Sequence, residues 1–109
     1  MKQELRKQCL FLLKDLNNSF QKKSIYSDLE VEAQEMLNEV IGVFSNPKKE
    51  GMAINFALGR FFSGFNRLIG LQGMKLDPDT LKKWRAVVAF FNGPQLRDYM
   101  GGGIVYGIG

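Results

Sequence analysis

The sequence contains no histidine and only one cysteine, Cys9. Without an imidazole, the chain lacks the side chain that usually acts as a general base near neutral pH, which excludes Ser-His and Cys-His catalytic pairs. One cysteine without histidine also falls short of the ligands that zinc and other transition metals require. It excludes an internal disulfide as well, which suits a reducing cytosol. We therefore expect neither an enzyme nor a protein that holds a metal or another cofactor.

Long uncharged apolar runs are also missing. The stretch from Gln8 to Leu13 is short and is followed directly by two charged residues, so it does not predict a signal peptide. The apolar-rich region 51–73 is interrupted by Arg60 and Arg67 and is too polar for a transmembrane helix. We therefore expect the protein to stay in the cytoplasm.

What is present is typical of one small globular domain: 109 residues, 45% apolar and 24% charged. The net charge of +4 is unevenly distributed. Residues 1–50 contain eight basic and eight acidic side chains, whereas residues 51–109 contain seven basic and three acidic ones. A basic half can face nucleic acid, anionic lipid headgroups or an acidic protein surface, or it can be an ordinary solvated surface.

Two segments of the first half predict amphipathic helices, because apolar residues recur in them at spacings of three and four. The first covers about residues 5–20, and its apolar stripe includes Cys9, which indicates a buried thiol rather than a reactive one. Ser27 and Glu30 have the spacing of a capping box at the start of the second helix. Asn46-Pro47 ends that helix, because the residue before a proline avoids the α conformation.

The second half predicts two further helices. The third extends over about residues 50–71 and has the broadest apolar face. Its helix propensity is lowered by three glycines, Gly59, Gly64 and Gly70. Glycines of this kind can instead allow close contact between helices. The fourth helix has Asp77 as its N-cap and Pro78 at its first position, and it ends at Asn92-Gly93-Pro94 with a glycine C′ and a proline.

Four helices with short connections predict an all-α fold, an antiparallel four-helix bundle over residues 1–94. Residues 95–109 are a separate C-terminal tail. Its last nine residues are five glycines and the four apolar residues Ile104, Val105, Tyr106 and Ile108. A solvated tail would normally carry charge, and a helix would not tolerate so much glycine. The tail is therefore expected to be an adaptable segment whose apolar side chains need a partner.

Two interpretations of the tail remain open at this point. The tail inserts into a partner, or it folds back over the bundle with Ile104 and Tyr106 covering the core. A phosphate-binding loop is excluded, because no Lys-Ser or Lys-Thr follows the glycines. In a G-x-G-x-x-G register that starts at Gly101, the last glycine position is Tyr106.

Two regions of the sequence resemble the class II bacteriocin immunity proteins of lactic acid bacteria, of the lactococcin A and enterocin A immunity type. The region from Ile54 to Phe91 is similar to the third and fourth helices of that family, with a short loop containing Lys75-Leu76 between them. The run from Gly101 to Gly107 resembles a tail found in the family. The chain length, the four amphipathic helices and the basic second half are also similar to those of this family. The resemblance in architecture therefore covers nearly the whole chain.

The resemblance implies a function. Members of this family protect the producer cell from its own bacteriocin, whose receptor is the membrane part of the mannose phosphotransferase system. The immunity protein binds the receptor–bacteriocin assembly from the cytoplasmic side and blocks the pore. A protein of this kind is cytoplasmic and partly associated with the inner face of the cell membrane, and we expect it to be a monomer.

Under this hypothesis the partner-binding residues lie in the tail and at basic positions of the second half. They are Gly101, Gly102, Gly103, Ile104, Val105 and Tyr106 of the tail, together with Lys82, Lys83, Arg85 and Arg97. The basic side chains would contact anionic headgroups or acidic loops of the receptor. The apolar tail would enter a groove of the receptor assembly and replace water there.

Two other functions remain open. A small basic helical protein could bind nucleic acid through its second half and stack Trp84 or Tyr99 on bases. No predicted helix has a dense basic face, however, and the apolar tail has no role in such a protein, so we expect no nucleic-acid partner. An adaptor that recognises an amphipathic helix is the other alternative. Asp77 and Asp79 are interpreted as helix-capping residues rather than as a catalytic pair.

Overall fold

The computed structural model describes residues 3–22 and 27–94, and all regular elements in these ranges are helical. The elements are α1 (Gln3–Phe20), α2 (Asp28–Ser45), α3 (Met52–Asn66) with a π-helical turn (Arg67–Leu71) directly after it, and α4 (Pro78–Phe91). The predicted all-α four-helix bundle is confirmed. Helix α1 packs against α2 and α4, and α2 packs against α3.

Contacts between helix ends show that neighbouring helices are antiparallel. Arg6, near the start of α1, reaches carbonyl oxygens at the end of α2. Ser19, near the end of α1, hydrogen-bonds to Thr80 in the first turn of α4, with 2.8 Å between the two hydroxyl oxygens. This arrangement follows from the short connections, because a helix that ends in a tight turn must return along its neighbour.

The core contains an aromatic cluster formed by side chains of α3 and α4. Trp84 is fully buried, and its ring centroid lies 5.8 Å from that of Phe61, 5.7 Å from that of Phe62 and 4.9 Å from that of Phe65. Phe62 also meets Phe91 edge to face at 5.2 Å. Each large aromatic ring buries a large apolar area, so this cluster joins α3 to α4.

The helix starts follow the local signals in the sequence. At α2 the capping box forms, and the Ser27 N–H donates to the Glu30 carboxylate at 3.1 Å. At α4 the Asp77 carboxylate accepts from the Thr80 N–H at 3.3 Å and from the Thr80 hydroxyl at 2.6 Å. Pro78 occupies the first helical turn, as predicted.

The ends of α3 and α4 differ in detail from the predictions. The predicted third helix ends in a π-helical turn, in which the Gln72 N–H donates to the Arg67 carbonyl at 3.0 Å. The Asn92-Gly93-Pro94 signal ends α4 at Phe91 as predicted. Gly93, however, does not have the positive φ of a left-handed cap, since among the described residues positive φ occurs at Gly51 and Gly73. Gly93 therefore occupies the predicted C′ position after the C-cap Asn92, but without the left-handed conformation of a glycine cap.

One of the three glycines of the third segment lies at a close helix contact. A Cβ on Gly64 would stand 2.5 Å from both Sδ and Cε of Met36 on α2. A Cβ on Gly59 would have no atom within 4 Å. Gly64 therefore lies against the Met36 side chain of α2, whereas Gly59 has open space where its Cβ would be.

Candidate functional site

The basic residues of α4 are not equivalent. Lys82 and Arg85 are exposed on the outer face of the helix. Lys83 instead lies against α1, with its Nζ 3.0 Å from Oδ2 of Asp15. The hydrogen bond to Asp15 and the charge of that carboxylate raise the pKa of Lys83 above its ordinary value. Lys82 and Arg85 thus lie on the exposed side of α4, whereas Lys83 lies between α4 and α1.

Two more basic residues of the second half pair with acids of the first half. Arg60 Nε lies 2.8 Å from Glu39 Oε1, and Arg67 Nη2 lies 2.5 Å from Glu32 Oε1. These two pairs join α2 to α3. The sequence carried a signal for them, because Glu32 and Glu39 are seven residues apart and so are Arg60 and Arg67. Within the described residues 51–94, the positive charge is therefore balanced in part by acids of α1 and α2.

Arg6 is a further charged contact that the sequence analysis did not find. Its Nε donates to the Phe44 carbonyl at 3.0 Å, and its Nη2 donates to the carbonyls of Val43 at 3.2 Å and Asn46 at 2.6 Å. Nη1 lies 3.1 Å from Oε1 of Glu50. A guanidinium at the end of α2 donates to carbonyls there and opposes the negative end of the helix dipole. The contacts of Arg6 thus help to hold α1 against α2.

The predicted tail site lies outside the described residues. This applies to Arg97 and to Gly101, Gly102, Gly103, Ile104, Val105 and Tyr106. Their assignment to partner binding stays a prediction. The described chain ends just before the tail, because α4 ends at Phe91 and the chain is described as far as Pro94.

An apolar groove lies between α1 and α4 close to this point. It encloses about 560 Å³ and is lined by Lys7, Gln8, Phe11, Leu12 and Phe90. Phe11 is 69% exposed, although it is a large apolar side chain. The signal in the sequence was the unbroken run Leu10-Phe11-Leu12-Leu13, because an amphipathic helix cannot bury four consecutive side chains on one face. We call these five residues the α1–α4 groove.

Two more large apolar side chains are exposed at the start of α3. Met52 is 68% exposed and Phe56, one turn later, is 57% exposed. Met52, Phe56 and the α1–α4 groove together form an apolar surface at the end of the bundle where α4 ends.

The one cysteine of the chain lies in the core of the bundle. Cys9 is fully buried, and burial raises the pKa of its thiol to about 12, so it is a packing residue and not a nucleophile, as predicted. Within residues 3–22 and 27–94 there is no group of three or more His, Cys, Asp or Glu side chains that could hold a metal ion. In the same ranges no helix is both long enough and apolar enough to cross a bilayer.

The structure also bears on the nucleic-acid alternative. Trp84, one of the two residues proposed to stack on bases, has no exposed surface and is enclosed by phenylalanines. Stacking needs an open ring face, so Trp84 cannot supply it in this fold. Tyr99, the other candidate, lies outside the described residues.

Comparison with protein-family models, with curated proteins and with solved structures finds no match for this chain. The family suggested by the sequence therefore rests on the helices and the tail composition that carry the resemblance.

Proposed function

We propose that the chain is a bacteriocin immunity protein that acts by occlusion. It would bind the membrane subunits of the mannose phosphotransferase system, with a class II bacteriocin bound to them, from the cytoplasmic side and block the pore. The observation that carries this proposal is a four-helix bundle followed by nine uncharged residues, five of them glycine. Blocking a pore needs shape and apolar contact rather than chemistry, which agrees with a chain that has no histidine.

The surroundings of the tail support the same proposal. The tail leaves the bundle beyond Phe91, at the end where Met52 and Phe56 are exposed. Exposed Lys82 and Arg85 on α4 can meet anionic headgroups at the inner face of the membrane or acidic loops of the receptor. Lys83 would contribute less, because Asp15 already holds its ammonium.

The proposal is tested by producing the chain in a strain that is sensitive to class II bacteriocins of this receptor class. We expect survival at bacteriocin concentrations that kill the same strain carrying an empty vector. The paired substitutions Ile104→Asp and Val105→Asp should abolish protection, because burying a carboxylate among apolar groups costs several kcal/mol, or at least about 100-fold in affinity.

The control is Val31→Asp, which places one such carboxylate on an exposed position of α2. We expect that variant to protect as well as the original chain. Full sensitivity of the strain producing the unaltered chain to every bacteriocin of this receptor class would contradict the proposal. Undiminished protection by the tail variant would show that another surface carries the function.

A further inference from the structure

We propose that the C-terminal tail, residues 95–109, docks into the α1–α4 groove of its own bundle when no partner is bound. This inference concerns the free protein and does not depend on the proposed function. It assigns an occupant to a groove that the four helices leave open. It applies the fold-back interpretation of the tail to the free protein, whereas insertion into a partner belongs to the bound state.

The position of the groove favours the tail as its occupant. Phe90, which lines the groove, is four residues before Pro94, where the described chain ends. Because α4 is antiparallel to α1, the chain leaves α4 at the Lys7 end of the groove and needs only to reverse its direction to lie along it. Three successive glycines, Gly101 to Gly103, allow such a reversal at little steric cost.

The length of the tail is sufficient. From Pro94 to Ile104 the chain spans ten residues, which reach about 33–36 Å when extended. The groove runs along α1 from Lys7 to Leu12, a rise of only about 8 Å. The tail can therefore place Ile104, Val105 and Tyr106 against Phe11 and still have length to spare.

The chemistry of the two surfaces matches. Lys7 is the one charged residue among the five that line the groove, and it lies at its edge next to Gln8. Residues 101–109 carry no charge and have four apolar side chains. A segment tethered this close has an effective concentration of the order of millimolar, so even weak apolar contact favours the docked state over an unrelated partner at low concentration.

The test is a disulfide cross-link in the full-length chain without any bacteriocin or receptor. Gln8→Cys places a thiol in the groove, and Ile104→Cys places one in the tail. The matched control pairs Ile104→Cys with Ser63→Cys, an exposed position on α3 next to Phe62, which contacts Phe91 near the start of the tail. Cys9 does not interfere, since it is fully buried.

Under a mild oxidant we expect the Gln8–Ile104 pair to form an intramolecular disulfide about tenfold faster than the Ser63–Ile104 pair, because docking raises the local concentration of the tail thiol. Adding Phe11→Asp should reduce the faster rate to that of the control. Equal rates for the two pairs would overturn the proposal. A disulfide that forms only between chains, at a rate that rises with protein concentration, would assign the groove to a second copy instead. Because no immunity is measured, this outcome is independent of the proposed function.

Discussion

At the scale of single residues, short-range signals in the sequence are reliable and long-range contacts are not. Asp77 was predicted as a cap because a capping side chain reaches only three residues along the chain, and the structure places it on Thr80. Arg6 was not recognised, because its acceptors Phe44 and Asn46 are about forty residues away in sequence. Nothing in the neighbourhood of Arg6 indicates that contact.

The Asp77 cap leads to a prediction about pH. Hydrogen bonds from the Thr80 side chain, and then from backbone N–H groups, lower the pKa of Asp77 below its ordinary value. A carboxylate whose pKa is lower in the folded state stabilises the fold fully above the ordinary pKa of about 4, and it loses this contribution as the pH falls through the folded value.

We therefore expect Asp77→Ala to lower the free energy of unfolding by about 1 kcal/mol at pH 7. The difference between Asp77→Ala and the original chain should shrink below about pH 4. Urea unfolding at pH 7 and pH 2.5 measures both values. Asp77→Asn is the control, because asparagine caps a helix without titrating, so its stability should change less over this range. A difference that stays constant from neutral to acid pH would contradict this account of the cap.

At the scale of the elements, helix positions followed from periodicity, whereas packing details depended on neighbours. The four apolar stripes correctly predicted α1 to α4, because burying one face of a helix needs a fixed spacing of apolar residues. The π-helical turn after Asn66 was not predicted, since its sequence continues the same apolar pattern. Likewise, only the structure shows that the Met36 side chain lies against Gly64 and that Gly59 faces open space.

Gly59 offers a direct test of this difference. Because a Cβ there would meet no atom within 4 Å, Gly59→Ala should raise the free energy of unfolding by about 0.5–1 kcal/mol through improved helix propensity. Thermal unfolding should show this as an increase in Tm.

Gly51→Ala is the contrasting variant. Gly51 has a φ of 59° at the start of α3, a conformation that an alanine adopts only with strain, so this change should destabilise the protein by about 1–3 kcal/mol. If both alanines shifted stability in the same direction, the backbone conformations described for these two positions would be wrong.

At the scale of the whole molecule, the sequence predicted the bundle but not how charged and apolar residues are distributed over its surface. Counting charges along the chain indicated a basic second half. In three dimensions, Arg60, Arg67 and Lys83 face acids of α1 and α2. The exposed apolar residues were not predicted for a related reason. Periodicity identifies apolar residues, but it does not show which of them no other helix covers. Phe11 and Phe56 remained exposed because no described element lies over them.

The buried position of Cys9 has a practical consequence for studying this bundle. Its side chain has no exposed surface, and its thiol, with a pKa of about 12, is almost entirely protonated at neutral pH. A thiol reagent can therefore modify it only when α1 separates from the core. The rate of modification at low denaturant should then report how often the whole bundle opens, and it should rise in parallel with the unfolded population measured by circular dichroism. The chain thus carries its own reporter of unfolding, with no introduced label.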